Sequence, residues 1–99
     1  MDSVSPTDVP ANAQLIDVRE TTEFAEGHAV GAVNIPMSEI VGRLDELDQD
    51  RELYIICLSG GRSAQVCEYL GHRGVDAINV EGGTSAWRAA ALPMELPGT

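Results

Sequence analysis

The stretch LYIICLSGGRSAQVCEYL, residues 53–70, decides the fold. Leu53 to Cys57 form a short apolar run rich in branched side chains, the pattern of a strand buried on both faces. Gly60 and Gly61 permit a sharp turn. Beyond Arg62, Ala64, Cys67 and Leu70 recur at three-residue steps with Val66 alongside, and Gly74 terminates this helix. A buried strand that ends on a thiol has two readings. Cys57 is either a small core hydrophobe before an ordinary turn, or a nucleophile at the mouth of an anion-binding loop.

The flanking sequence repeats the strand–helix alternation. Ala13–Val18 (AQLIDV), Ala32–Pro36 (AVNIP) and Ala77–Val80 (AINV) read as further strands. ETTEFAEG places acids in the first turn of a helix that Gly27 stops. SEIVGRLDEL reads as a helix with Ser38 as N-cap and Ile40, Val41, Leu44 and Leu47 on one face. Gly82 and Gly83 make a turn into a last helix ending at Ala91, with Trp87 in the core. Residues 93–99 show no pattern and read as an irregular tail. The expectation is one α/β domain over residues 1–99, its core at about 4–92, with a central parallel sheet of four or five short strands and helices on both faces. Such sheets bind ligands beyond the carboxyl ends of their strands, which is where Cys57 falls.

Sixteen acids oppose six bases, all arginine, for a formal net charge of −10. That balance excludes nucleic acid and anionic membrane surfaces as expected partners, because both need a basic footprint. No apolar run is long enough to cross a bilayer, and the first ten residues lack the apolar region of a secretory signal. Cys57 and Cys67 lie ten positions apart, a spacing of neither a C-x-x-C redox pair nor a zinc site, and His28 and His72 are scattered. The expected setting is the reducing cytoplasm.

The loop Cys57–Ser63 has the parts of an anion nest. Its glycines let successive N–H groups point inward, the following helix adds its N-terminal partial charge, and Arg62 supplies a cation. Together these would favour the thiolate, the reactive form of cysteine.

Three segments, LIDVRETTEFAEGHAVGAVNIP (Leu15–Pro36), CLSGGRS (Cys57–Ser63) and VEGGTSAW (Val80–Trp87), resemble in order and spacing the successive signatures of rhodanese-like domains. The resemblance implies a single-domain sulfurtransferase in which Cys57 carries a persulfide between donor and acceptor. By the same resemblance Leu58, Ser59, Gly60, Gly61 and Arg62 surround the transferred sulfur, and Ser63 opens the helix. Asp17 matches a buried charge that braces the loops. Arg19 either completes that pair or reaches the pocket rim, where it would bind substrate. His28 matches a structural histidine. Cys67 falls on the apolar helix face and reads as core.

The implied partners are a small sulfur donor, thiosulfate or a persulfide (free or carried by a protein), and a thiophilic acceptor, cyanide or a thiol. No cofactor or metal is implied. Thiosulfate-specialised relatives carry cations directly after the cysteine, where this chain has Leu58 and Ser59. Three rivals remain: a phosphatase or arsenate reductase on the same fold, a Cys57–Cys67 redox protein, and a catalytically silent interaction module. The first is disfavoured because four residues, not five, separate Cys57 from Arg62.

Overall fold

The computed structural model describes residues 2–97. Five strands, β1 (Asp2–Val4), β2 (Gln14–Asp17), β4 (Val33–Asn34), β5 (Leu53–Ile56) and β6 (Ile78–Val80), form one parallel sheet in the order β1-β6-β5-β2-β4. β5 lies at its centre, with Leu15 opposite Tyr54 and Ile16 opposite Ile55 on one side, and Tyr54 opposite Ile78 on the other. All four residues of β5 are buried, as expected for a strand covered on both faces.

Side-chain alternation along β5 builds two cores. Leu53, Ile55 and Cys57 pack on one face with Val66, Cys67 and Leu70 of α2 (Gly61–His72), and with Ile40 and Leu47. Tyr54 and Ile56 point to the other face, against Leu15, Ala29, Val80 and Trp87. Trp87 belongs to α3 (Gly83–Ala89). The expected α/β architecture, with a parallel sheet and helices on both faces, is the one observed.

Three segments depart from the sequence expectation. Ile40–Glu46 is a 3₁₀ segment rather than an α-helix, preceded by Glu39 instead of capped by Ser38, and Arg43 within it leaves helical geometry. The N–H groups of Glu39 and Ile40 both donate to Pro36 O, at 2.8 and 3.1 Å, which tightens the entry. Val41, expected on the buried face, is exposed. At the start of the chain, Asp2–Val4 adds an edge strand beside β6.

At the other end, Met94–Glu95 (β7) pairs antiparallel with His28–Ala29 (β3), so the segment read as irregular is partly ordered. Trp87 Nε1 donates to Pro93 O at 2.8 Å and holds that turn in place.

Candidate active site

Cys57 directly follows β5, and its backbone is fixed before its thiol is considered. Thr84 donates to Cys57 O through both its N–H (2.8 Å) and its hydroxyl (2.9 Å), and Ser85 N–H donates to Leu58 O at 3.0 Å. Gly83 makes this approach possible. Its φ is +56°, and a Cβ there would run into Cys57 O and the Leu58 backbone. The Gly-Gly-Thr-Ser turn is therefore a brace under the cysteine loop.

The loop curls its donors onto the sulfur. Gly60, at φ +106°, turns its N–H to Cys57 Sγ at 3.0 Å. A Cβ at Gly60 would lie 3.2 Å from Gly82 N, so the two glycine turns also pack together. Ser63 Oγ lies 3.2 Å from Cys57 Sγ and is fully buried in the first turn of α2. Leu58, Ser59 and Gly61 are exposed and form the outer rim.

Burial pushes the Cys57 thiol up, but the Ser63 hydroxyl and the amides of Ser63, Gly60 and Ser59 together outweigh it. The net is a thiol below the ordinary cysteine value. Among the described residues Cys67 has no such donors. Burial drives its thiol up to about 11, within the core face of α2.

Arg62, expected to supply a cation to the anion nest, is held by a carboxylate. Its Nη1 and Nη2 grip the Glu23 carboxylate at 2.7 and 2.9 Å. Glu23 lies in α1 (Thr21–Ala25) and also accepts from Glu20 N–H at 3.1 Å, as part of that helix's capping box. The Arg62 guanidinium is held further into its charged form mainly by the Glu23 hydrogen bonds, with Cys57 a smaller contribution. The thiol is thus acidified by amides and a hydroxyl more than by the arginine.

Arg19 takes the bracing place and not the rim. Its Nη2 donates to Asp17 Oδ2 and to Gly27 O, both at 2.8 Å, and its Nε donates to the same carboxylate at 3.1 Å. Both residues are buried. Each charge meets its counterpart directly, and Arg19 Nη2 also reaches Gly27 O, the kind of pairing under which burial is tolerable. Asn34 Nδ2 donates to the carbonyls of both, at 2.9 Å. His28 stacks on Phe24 at 3.6 Å, with Nδ1 2.8 Å from Phe24 O and Nε2 3.1 Å from the Glu95 carboxylate. These contacts tie α1 to β7.

Glu23, Asn79 and Thr84 join the site without having been singled out in the sequence. Asn79 carried a weak signal, since it is a polar residue in the middle of an apolar strand. Its Oδ1 meets the Ser63 hydroxyl.

The rhodanese-like domain model matches residues 7–90, and the chain belongs to that family. YtwF of Bacillus subtilis is 48% identical over 79 residues, covering 80% of this chain and 77% of that protein. The thiosulfate sulfurtransferase GlpE of Shewanella oneidensis is 32% identical over 80 residues, covering 80% of this chain and 79% of the relative. Among solved structures, a rhodanese-related protein from Thermoplasma volcanium aligns with a TM-score of 0.90 at 32% identity, over 97% of this chain and 99% of that one. The chemistry of this family is of the sulfurtransferase type. Among the described residues no helix is long and apolar enough to cross a membrane.

Proposed function

We propose that the protein transfers a sulfane sulfur from a small donor to a thiophilic acceptor through a persulfide on Cys57. The observation that supports this most directly is the sulfur's setting. Cys57 Sγ lies at the amino end of α2, 3.0 Å from the Gly60 amide and 3.2 Å from the Ser63 hydroxyl.

In the first step the Cys57 thiolate attacks the outer sulfur of the donor. The new S–S bond takes its electron pair from Cys57, and the donor's S–S bond breaks with its pair leaving on sulfite or a thiolate. Cys57–S–S⁻ remains, with its charge on the outer sulfur. Loop amides and the helix N-terminus stabilise that charge. In the second step cyanide or a thiolate attacks the outer sulfur, carries it off, and returns the electron pair to Cys57. Leu58, Ser59, Gly60, Gly61, Arg62 and Ser63 enclose the sulfur, while Asp17, Arg19 and His28 brace the surrounding loops.

Intact mass spectrometry after exposure to thiosulfate or a low-molecular-weight persulfide tests the reading. One sulfur atom adds about 32 Da, reversed by cyanide. The adduct should form on wild-type protein and on Cys67→Ser, and not on Cys57→Ser. A folded Cys67→Ser protein that fails to take up sulfur would instead support a two-cysteine mechanism.

A further inference from the structure

Ser63 Oγ is buried against three atoms: Cys57 Sγ at 3.2 Å, Gly60 O at 3.2 Å and Asn79 Oδ1 at 2.5 Å. A hydroxyl has one proton to give. With the amide oxygen facing it at the shortest distance, that proton goes to Asn79, and Ser63 offers sulfur only a lone pair. A lone pair suits an S–H donor and repels S⁻. With its proton on Asn79 the hydroxyl suits the resting thiol, and it lowers the Cys57 thiol only when that proton turns to sulfur, a contact in which either atom can donate.

Half a turn of the Asn79 amide reverses this. Nδ2 then occupies the place of Oδ1, its N–H donates to Ser63 Oγ, and the Ser63 proton is left with two acceptors at 3.2 Å, Gly60 O and the sulfur, of which a charged sulfur is the stronger. The two amide ends are nearly equal in size. Among the described residues the hydrogen bond this turn gives up is the one from Ser63 Oγ–H to Oδ1, and Nδ2–H to Ser63 Oγ replaces it. The Asn79 backbone stays put, because it lies within the sheet opposite Ile55 on one side and Ser3 on the other.

We propose that Asn79 is a positioning residue whose amide turns the Ser63 proton toward Cys57 and so holds the sulfur as the attacking thiolate. This rests on Cys57 as the nucleophile. Asn79 touches neither the sulfur nor the substrate and acts only through Ser63. As the thiol proton leaves to solvent, the amide turns and the Ser63 hydroxyl changes from acceptor to donor.

Two measurements test it. In wild-type protein, the ¹⁵N side-chain amide signal of Asn79 should titrate with the same midpoint as Cys57 alkylation, moving downfield as Nδ2–H becomes hydrogen-bonded. The movement should vanish in Cys57→Ser. In the second, Asn79→Asp supplies only acceptors and should raise the Cys57 alkylation midpoint by about one pH unit, a tenfold loss of thiolate below the midpoint. In a Ser63→Ala background the same substitution should shift the midpoint far less, because only through-space charge repulsion remains. An Asn79 signal indifferent to Cys57 ionisation overturns the proposal, as do equal shifts in the two backgrounds. If the aspartate variant does not fold, the wild-type titration decides alone. Neither measurement scores sulfur transfer, so failure here and failure of the persulfide chemistry are separately visible.

Discussion

Arg62 and Glu23, 39 residues apart in sequence, form a two-pronged ion pair at 2.7 and 2.9 Å across the cysteine loop. It joins the first turn of α2 to α1. The cation of the loop is neutralised by the protein itself, which changes what the loop can offer to an anion.

The pair makes a prediction about acid. Arg62 hydrogen bonds lower the Glu23 carboxyl from the ordinary 4.5 to about 2. Since the folded value lies below the unfolded one, the stabilisation is complete above about 4.5 and is lost as pH falls toward 2. Both side chains are about one-third exposed, so the contribution is screened to at most about 1 kcal/mol. Urea unfolding of wild type and Glu23→Gln should differ by this amount at neutral pH and converge near pH 2. A constant gap across that window would show that Glu23 acts through packing.

A second prediction concerns the two thiols. Amides and Ser63 lower Cys57, while burial raises Cys67 to about 11. At neutral pH iodoacetamide should label Cys57 and spare Cys67, as read by peptide mapping. The Cys57 rate–pH midpoint should lie below that of free cysteine. Ser63→Ala should raise it by about one unit, since hydrogen bonds to a charged group are worth about 1.5–3 kcal/mol and sulfur sits at the low end. Arg62→Ala should raise it less, because Glu23 already satisfies that guanidinium. A larger shift from Arg62→Ala than from Ser63→Ala would reverse this assignment.

The parts of this site differ in how plainly the sequence announces them. β5 and α2 are legible because hydrophobic periodicity is local, and Cys57 because it stands where the two periods meet. Glu23 is not, since no local pattern ties an acid in a capping box to an arginine 39 positions away. The 3₁₀ segment at Ile40–Glu46 fails the helix expectation because the Pro36 carbonyl captures its entry and Arg43 leaves helical geometry. β1 and β7 are edge elements of two or three residues, too short for a period to show.

The glycine brace gives a third prediction. Gly83→Ala meets two penalties at once: a left-handed backbone and collision with Cys57 O and Leu58. Gly74, at φ +80°, has open space where a Cβ would go, so Gly74→Ala meets only the first. Left-handed strain costs about 1–2 kcal/mol. Gly74→Ala should lose about that much in urea unfolding. Gly83→Ala should lose more, about 3 kcal/mol or above, and should also slow sulfur transfer by displacing the loop. Equal losses would mean that the turn yields without moving Cys57.

Thiosulfate brings charge, loop and pair together. A dianion approaches a protein of net charge −10, and finds a loop whose arginine is held by Glu23 and whose rim residues Leu58 and Ser59 are exposed and uncharged. The expected steady-state behaviour with thiosulfate and cyanide is therefore a high KM. The long-range part of the repulsion is screened over about 8–10 Å near physiological ionic strength, so added salt should lower KM only in part. The local part persists in salt, because it acts where the donor touches the loop. Placing cations there, Leu58→Arg with Ser59→Lys, should lower KM severalfold at any salt concentration, whereas distant surface arginines should mainly speed association and lose their effect in salt. Glu23→Gln should also lower KM, by freeing the Arg62 guanidinium for the donor's oxygens, with kcat changed less. The opposite result has a clear meaning. A wild-type KM in the low micromolar range, unmoved by salt, by the loop cations and by Glu23→Gln, would show that the amides alone bind the dianion well and that thiosulfate is a natural donor.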